Sequence, residues 1–223
     1  MNIELNESRI RFDLDRKDHS RFDAYWIKRK IAPIPSELMG KYPDVRLEIG
    51  AGSGSFALAL AQLYSHSLIV PIERCKTRAR TLLHRTERSE LRNLKPLRGN
   101  AIPAVVGGFP SETVDRIYVL YPCPWPKNSQ RKNRWYLHPI MPHMIRILKK
   151  GGKLIWASDQ KFYIDEAYYV CTKRYRLRTL SYGELTLNAY NDLEHFPQGR
   201  TKFEQTFLSN HQPCYELILE KPI

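Results

Sequence analysis

The residues with the most evident chemistry lie in a proline-framed segment, YPCPWPK, which runs from Tyr121 to Lys127. Its thiol, Cys123, could act as a nucleophile or line a binding pocket. Proline fixes φ and removes a backbone donor, so the segment predicts a rigid, irregular loop and not a helix interior or a central strand. The acid-free stretch that follows carries Lys132 and Arg134. Such a loop suits a functional site with an anionic partner.

A second group of residues suits the binding of a cofactor. The segment LEIGAGSG places Gly50, Gly52 and Gly54 between a predicted strand and a predicted helix. Glycine permits positive φ and lets a ligand approach the backbone beside a helix N-terminus. Two acids flank this turn. Glu48 precedes the first glycine, and Glu73 ends the next predicted strand, where it could accept hydrogen bonds from ribose hydroxyls.

These acids favour one class of cofactor over another. A dinucleotide fingerprint requires Gly or Ala at position 55, where this chain has Ser55. The Glu48 carboxylate would repel a pyrophosphate but attract the ammonium group of a methionine moiety. Asn100, in the turn RGNA, could hydrogen-bond an adenine edge. The pattern favours S-adenosylmethionine over a nicotinamide dinucleotide, and a tight turn without a ligand is the alternative.

The elements that position these residues alternate between strands and helices. Strands are predicted at VRLEI, SLIVPIE, LKPLRG, VDRIYVLY and KLIWASD. Helices are predicted over SFALALAQLY, from about Cys75 to Glu90, over HPIMPHMIRILKK with Gly151 and Gly152 as its C-cap, and from about Phe162 to Lys173. Two closing strands, KFEQTFL and CYELILEK, are predicted to form an antiparallel hairpin. The alternation predicts an α/β fold whose mostly parallel sheet has helices on both faces, with ligands at the carboxyl ends of its strands.

Composition bounds the organisation of the chain and its partners. The 223 residues carry a formal net charge of +13, which favours a polyanionic partner. The four cysteines form no CxxC pair, so we expect neither a metal site nor a disulfide framework, and a reducing cytoplasm fits. We find no signal pattern and no apolar run that predicts a membrane span. We expect residues 1–40 to form an arm, with a short helix around RFDAYWIKRK, and residues 41–223 to form one domain.

From about Val45 onward, the chain resembles the bacterial tRNA (guanine-N7-)-methyltransferases. The resemblance rests on LEIGAGSG, PIE, GNA, YPCPWPK, KGGKLIWASD and TKFEQ, which occur in the same order. In that family the fourth strand ends in a motif like F-x-D-P-W-P-K, followed by a basic stretch. The resemblance implies a Rossmann-like, seven-stranded class I methyltransferase sheet with a C-terminal antiparallel hairpin. It also implies S-adenosylmethionine as cofactor, tRNA as substrate and methyl transfer to N7 of a guanine.

The residues and the resemblance together assign roles to individual side chains. The expected cofactor residues are Glu48, Gly50, Gly52, Gly54, Glu73, Asn100 and Cys123. Those expected around the target guanine are Lys127, Asp159, Thr201, Lys202, Phe203 and Glu204. Cys123, Asp159 and Lys127 are the expected catalytic residues, and Lys132 and Arg134 are expected along the RNA backbone.

Cys123 departs from the family pattern, which has an aspartate at this position. Guanine N7 has an accessible lone pair, so the enzyme mainly has to align the reactants and exclude water. A carboxylate would also favour the positive charge that develops on the purine. Three interpretations remain. The chain is a tRNA methyltransferase in which Asp159 and Glu204 supply this electrostatic help, a related methyltransferase redirected to a small molecule or another nucleobase, or an RNA-binding relative without turnover. Covalent attack by the thiol, as in cytosine-C5 methyltransferases, is one form of the second interpretation.

A basic helix adds a candidate surface for RNA. The segment from Arg74 to Arg98 contains nine lysines and arginines against two acids, Glu87 and Glu90. This density suits recognition of a folded RNA through its phosphates. The alternative is a solvated helix face. The sequence leaves open whether the protein is a monomer or a homodimer.

Overall fold

The computed structural model describes Ile34 and residues 36–223, and its centre is one seven-stranded sheet. The strands are β1 (Asp44–Ile49), β2 (Ser67–Glu73), β3 (Leu97–Arg98), β4 (Val114–Leu120), β5 (Leu148–Ser158), β6 (Arg178–Glu184) and β7 (Tyr215–Glu220). Their order in the sheet is β3-β2-β1-β4-β5-β7-β6. The first five strands are parallel, and β7 runs antiparallel to both β5 and β6. The predicted fold class is confirmed.

Helices cover both faces of this sheet. They are α1 (Ser36–Gly40), α2 (Ser55–Leu63), α3 (Lys76–Ser89), α4 (Ala101–Gly107), α5 (Met141–Ile147), α6 (Lys161–Lys173) and α7 (Lys202–Ser209). Short 3-10 turns occupy Asn128–Asn133, Trp135–Leu137 and Leu193–His195. The predicted helices that correspond to α2, α3 and α6 are confirmed. The helix predicted around RFDAYWIKRK lies outside the described residues.

The two faces of the sheet are covered differently. Along β4, Ile117 and Val119 face a core shared with α4, α5 and α6, while Tyr118 and Leu120 face a smaller core shared with α2. That smaller core is closed by the segment 185–200, which we call the cover segment. Asp192 anchors the cover segment because it accepts hydrogen bonds from the hydroxyls of Tyr64 and Tyr118, at 2.7 and 2.8 Å.

The strand order fixes where ligands can bind. The chain crosses from β3, at one edge of the sheet, to β4, on the far side of β1. Such a reversal opens a crevice outside the carboxyl ends of the central strands. Gly50, Tyr121 and Asp159 follow the ends of β1, β4 and β5, and Glu73 is the last residue of β2. The topology therefore gathers four separate sequence segments at one edge.

The segment KFEQTFL forms helix α7, so the prediction of a strand there was wrong. Thr201 is the N-cap of α7, and its hydroxyl accepts a hydrogen bond from the Glu204 amide at 3.1 Å. The Glu204 carboxylate reaches back to the Arg200 amide at 2.6 Å. Thr201 and Glu204 thus form a variant of the capping box in which the Glu204 carboxylate accepts from the residue before the N-cap, and TKFE carries the T-x-x-E signal in the sequence. The antiparallel partner of β7 is β6, which the sequence patterns did not predict as a strand.

Helix α5 ends at Ile147, so Gly151 and Gly152 do not form its cap as predicted. Both glycines lie inside β5, where the pairing with β4 shifts register between Val114 and Arg116. Gly151 adopts a φ of +73° and donates its amide to the Lys221 carbonyl at 2.8 Å. The glycines therefore allow the irregular backbone near the start of β5. None of the helices in the described part combines the length and apolar character needed to cross a membrane.

Candidate active site

A cleft of about 460 Å³ opens at the carboxyl edge of the sheet. Its walls are the glycine turn after β1, the ends of β2 and β3, and the proline-framed loop after β4. Four of the predicted site residues line it: Gly50, Glu73, Asn100 and Cys123. The other predicted residues do not line this cleft. The cleft therefore joins the two sequence segments with the clearest chemistry.

The glycines of the turn have different tasks. Gly50 adopts a φ of +85°, and a Cβ added to it would meet no atom within 4 Å. Open space therefore lies beside the backbone where Gly50 lines the cleft. Gly54 also has positive φ, but its Cβ would lie 2.2 Å from Cδ1 of Leu82. Gly54 therefore has a packing role, because it allows α2 to approach α3, and its predicted role at the cofactor stays a prediction.

Glu73 connects the segments at the glycine-turn end of the cleft, which we call the corner. The Gly52 amide donates to its Oε2 at 2.8 Å, and the Cys75 amide donates to its Oε1 at 2.7 Å. One buried carboxylate thereby fixes the glycine turn, the end of β2 and the start of α3. Each carboxylate oxygen can accept more than one hydrogen bond, so Glu73 keeps acceptor capacity for a ligand in the cleft.

Glu48 precedes Ile49, which lines the cleft, and the Glu48 side chain is buried. No residue that the structure describes forms a hydrogen bond with its Oε2 atom. Burial raises the pKa of Glu48 to about 8, and the negative charge of Glu73 adds to the shift. A buried carboxyl oxygen without a donor is costly, so this position is suited to a cationic or hydrogen-bond-donating ligand group.

Asn100 stands at the far wall of the cleft. Its Oδ1 accepts a hydrogen bond from the Ile102 amide at 3.1 Å, which makes Asn100 the N-cap of α4. The cap leaves the side-chain NH2 group available as a donor. The preceding Gly99 has a φ of +154° and also leaves open space at the cleft. The corner as a whole fits a ligand with a cation, a diol and an adenine-like edge.

The proline-framed loop is held by a buried clamp. Arg134 donates from Nε and Nη2 to the Trp125 carbonyl, at 3.2 and 2.9 Å, and pairs through Nη1 with Glu166 of α6. Arg131 pairs with the same carboxylate, and the Tyr136 hydroxyl donates to it at 2.7 Å. Arg134 is only 2% exposed. The predicted contact of Arg134 with the RNA backbone is not supported, because its guanidinium holds the loop in place.

A second buried network joins α7 to the end of β4. The Glu204 carboxylate accepts hydrogen bonds from the Tyr121 hydroxyl at 2.7 Å and from Arg200 Nη2 at 2.7 Å. Arg200 also donates from Nη1 to Glu216 of β7 at 2.6 Å. Burial alone raises the pKa of Glu204, but the Arg200 guanidinium outweighs it and holds that pKa below its usual value. Glu204 is fully buried, so its predicted contact with the target guanine is not supported.

Comparison with known proteins agrees with this geometry. Residues 43–217 match a family model described as "Putative methyltransferase". The chain belongs to this methyltransferase family. It is 28% identical over 170 residues to a tRNA (guanine-N(7)-)-methyltransferase of Chlamydia abortus, and the aligned region covers 73% of this chain and 76% of the relative. It is 25% identical over 206 residues to the enzyme of that name from Limosilactobacillus fermentum, with coverages of 92% and 89%.

A solved structure supports the fold of the methyltransferase. The crystal structure of the 16S rRNA methyltransferase KamB is similar, with a TM-score of 0.62, 16% identity and coverage of 87% of this chain and 97% of that chain. At this level of identity the likeness concerns the fold alone. The sheet is that of a class I methyltransferase, as the sequence predicted.

Several predicted residues of the methyltransferase are exposed or half-buried. Cys123 and Lys127 are exposed on the proline-framed loop, and Lys132 is exposed in the turn that follows. Lys202 is exposed at the start of α7, where Thr201 uses its hydroxyl for the cap. Asp159 follows β5 and is half-buried, with a hydrogen bond from the side chain of Gln160.

Sequence patterns missed two residues that organise the methyltransferase's site. Tyr121 has a φ of +53°, lines the cleft and bonds to Glu204. Its position at the end of the predicted strand VDRIYVLY could have marked it as a site residue. Arg200 is buried and bonds to carboxylates from two elements, and no local pattern marks it. Its role depends on partners that only the fold brings together.

The basic segment of the methyltransferase forms an exposed surface beside the cleft. We use "basic surface" for its exposed cations: Arg74, Lys76, Arg78, Arg80, Arg88, Arg92, Lys95 and Arg98. Arg74 and Arg78 also line the cleft. Arg85 is an exception, because it donates to the Ser53 carbonyl at 3.1 Å and to Ser55 Oγ at 2.9 Å. That cation supports the glycine turn.

Proposed function

We propose that this methyltransferase transfers a methyl group from S-adenosylmethionine to N7 of a guanine in tRNA. The observation that supports the proposal is the cleft, which is lined by Gly50, Glu73 and Asn100 and by Cys123 of the exposed thiol loop. The relatives named tRNA (guanine-N(7)-)-methyltransferases support the choice of acceptor. No metal takes part in the proposal. Among the described residues no cluster of three or more metal-ligating side chains is found.

The corner residues suit S-adenosylmethionine, which supplies an electrophilic methyl group when it is bound. Glu73 can accept hydrogen bonds from the ribose hydroxyls, and Asn100 can donate to the adenine edge. Glu48 has the unpaired oxygen that an ammonium group would satisfy. Gly50 leaves room for the ligand against the backbone.

The acceptor side needs alignment more than it needs a base. Guanine N7 attacks with its own lone pair, so no side chain has to remove a proton first. A carboxylate near the purine favours the positive charge that develops there, and Asp159 is our candidate for this role. Lys127 is our candidate for orienting the acceptor, and Trp125 and Trp135 line the cleft and exclude water from it. Cys123 completes the wall where the family has an acid.

RNA binding is assigned to exposed cations. We expect the basic surface, Lys132 and Lys202 to contact phosphates, so that affinity for tRNA falls steeply as salt rises. We also propose that the protein works in the cytoplasm, as monomer or homodimer. Residues 1–40 act as an arm to the catalytic domain 41–223 in this proposal. Ile34 and Met39 of that region already pack in the main core.

The alternative is a related methyltransferase with another acceptor, a small molecule or a different nucleobase. The observation that favours it is Cys123, an exposed thiol on the cleft wall in place of an acid. An RNA-binding relative without turnover is the third candidate. It shares the basic surface but predicts no methyl transfer.

Labelled methyl transfer separates these candidates. Unmodified bulk tRNA is incubated with the protein and methyl-labelled S-adenosylmethionine, digested to nucleosides and resolved. We expect the label in 7-methylguanosine. A Gly50→Val variant serves as control because its side chain fills the open space beside the corner. Label in another nucleoside supports the redirected enzyme, and cofactor binding without any labelled product supports the non-catalytic relative.

A further inference from the structure

Strand β6 forms an open edge of the sheet. Among the described strands it pairs only with β7, so its other side presents backbone groups that no described strand pairs. Such an edge is a template for a further strand. Gly183 lies in β6 with a φ of +133°, and a Cβ added to it would meet no atom within 4 Å. Because glycine inside a strand often marks the close approach of another backbone, this edge has room for a second strand.

Exposed apolar side chains lie at the same edge. Tyr182 of β6 stacks on Tyr168 of α6, with ring centroids 4.4 Å apart and an interplanar angle of 20°. The two rings are 44% and 36% exposed. The Tyr182 hydroxyl donates to Asp165 Oδ1 at 2.7 Å, which fixes the Tyr182 ring. A partner that covers these ordered rings removes apolar surface from water with little further loss of side-chain freedom.

The two ends of β6 carry opposite charges. Arg178 is the first residue of the strand and Glu184 is the last. Arg178 pairs with Glu220 but leaves 65% of its side chain exposed, so its guanidinium has donors for a second carboxylate. Glu184 is exposed, and no described residue forms an ion pair with it. A two-fold axis across the edge would set Arg178 of each copy against Glu184 of the other.

These charges favour a second copy of the chain over RNA. The cations of the basic surface belong to α3 and to the segments around β3, at the opposite end of the sheet from β6. Near β6, Lys161 is already paired with Asp165 at 2.8 Å. A phosphate backbone along β6 would be repelled by Glu184. An antiparallel copy instead satisfies the charge at each end, because the strand is complementary to itself.

We propose that two copies of the chain form a homodimer by antiparallel pairing along β6, so that the sheet continues from one copy into the other. The Tyr168–Tyr182 pair of each copy lies beside the shared edge and is partly covered there. The register of β6 on β7 shifts between Thr179 and Ser181. We therefore expect the charged ends to set the alignment, with a break in the hydrogen-bond ladder between them.

This pairing leaves the site of each copy accessible. No residue of β6 lines the cleft, and β6 and β3 are at opposite ends of the sheet. The two basic surfaces then lie at the outer ends of the extended sheet, so each copy keeps its own surface for RNA. The inference is independent of the proposed reaction. Self-association and 7-methylguanosine formation are measured separately, and failure of one leaves the other standing.

The test is sedimentation of the full chain over a dilution series, for wild type, Arg178→Glu, Glu184→Arg and the double variant. Each single reversal sets like charges together at both ends, so we expect the dimer affinity to fall at least about 10-fold. The double variant restores opposite charges and should regain dimer affinity. Glu87→Arg is the control, because it makes the same change of charge on an exposed residue of α3, and it should dimerise like wild type.

A mixture of the two single variants separates pairing from folding. Arg178→Glu presents acids at both ends of β6 and Glu184→Arg presents arginines at both ends. An equimolar mixture should therefore form heterodimers although neither variant forms homodimers, which a misfolded protein would not do. Wild type that stays monomeric at every concentration would overturn the inference. So would single variants that dimerise like wild type, or a mixture of folded variants that stays monomeric.

Discussion

The two halves of the cleft differ in how completely their buried carboxylates are paired. In the acceptor half, Glu166, Glu204 and Glu216 are buried and each is paired with arginine. In the cofactor half, Glu48 is buried as deeply, yet its Oε2 has no hydrogen-bond partner within the described part of the chain. A buried charge is costly unless it is paired. The acceptor half is therefore held by the chain's own residues, whereas we propose that a cationic group of the cofactor completes the cofactor half.

The largest effect should come from breaking the acceptor half. Arg200→Met leaves Glu204 and Glu216 buried without their counter-charge, so we expect a loss of about 3–5 kcal/mol in the free energy of unfolding. The measurement is urea denaturation. Arg178→Met is the control, because Arg178 pairs with Glu220 while exposing 65% of its side chain, and we expect at most about 1 kcal/mol there. Similar losses in both variants would show that the buried network stabilises the fold no more than an exposed ion pair does.

A second prediction concerns the pH dependence of Glu48. Its pKa in the folded protein is about 8, above the ordinary 4.5, so its stabilising contribution is full below pH 4.5 and is lost as pH rises through 8. Glu48→Gln stays neutral. We expect the variant, relative to wild type, to gain on the order of 2–4 kcal/mol in unfolding free energy between pH 5 and pH 9.

The measurement for Glu48 is denaturation of the cofactor-free protein at pH 5 and at pH 9. Glu204→Gln is the contrasting variant. Because the pKa of Glu204 is held below its usual value, Glu204→Gln should destabilise the protein at neutral pH. A constant stability difference between Glu48→Gln and wild type would place a compensating cation beside Glu48. That result would remove the contrast between the halves.

Variants of two glycines in the cofactor half distinguish a packing role, expected for Gly54, from a ligand-binding role, expected for Gly50. Gly54→Ala brings a methyl group against Leu82 at a positive φ, and we expect a loss of about 1–3 kcal/mol in unfolding free energy. Gly50→Ala meets open space and suffers only from its φ of +85°, at about 1 kcal/mol. Calorimetric titration should show the reverse order for S-adenosylmethionine affinity, with the greater loss in Gly50→Ala. Equal cofactor affinities in the two variants would contradict this division.

The smallest effect on stability is expected at the loop between the halves. Cys123 is exposed, so Cys123→Asp should change the unfolding free energy by less than about 0.5 kcal/mol. We expect guanine methylation to be preserved or raised, because a carboxylate favours the charge that develops on the purine. Single-turnover rates measure this. A clear loss of turnover in a stably folded variant would mean that the thiol has a task of its own.

The sequence predicted the cofactor half better than the acceptor half, and the reason is physical. The glycine turn, β1, β2 and the basic helix are specified by local signals, namely glycines, β-branched runs and caps. The burial of Arg134 depends on Glu166, and that of Glu204 depends on Tyr121, which is 83 residues away. A single sequence does not reveal such pairs.

Helix α7 shows a different kind of error. The aromatic residues of KFEQTFL favour a strand, whereas the T-x-x-E spacing favours a helix start. The cap and the packing of Phe203 on Tyr121 prevailed. Here the signal was present in the sequence, and the choice between two local patterns was wrong.

The most direct test of the central claim is a crystal structure with S-adenosylhomocysteine, the demethylated cofactor. We predict that it lies in the cleft against Gly50, with its ribose hydroxyls within hydrogen-bond distance of Glu73 and its sulfur toward Cys123. Its ammonium group should contact Glu48. An empty cleft at saturating ligand, or a ligand bound elsewhere with Glu48 still unpaired, would contradict the account.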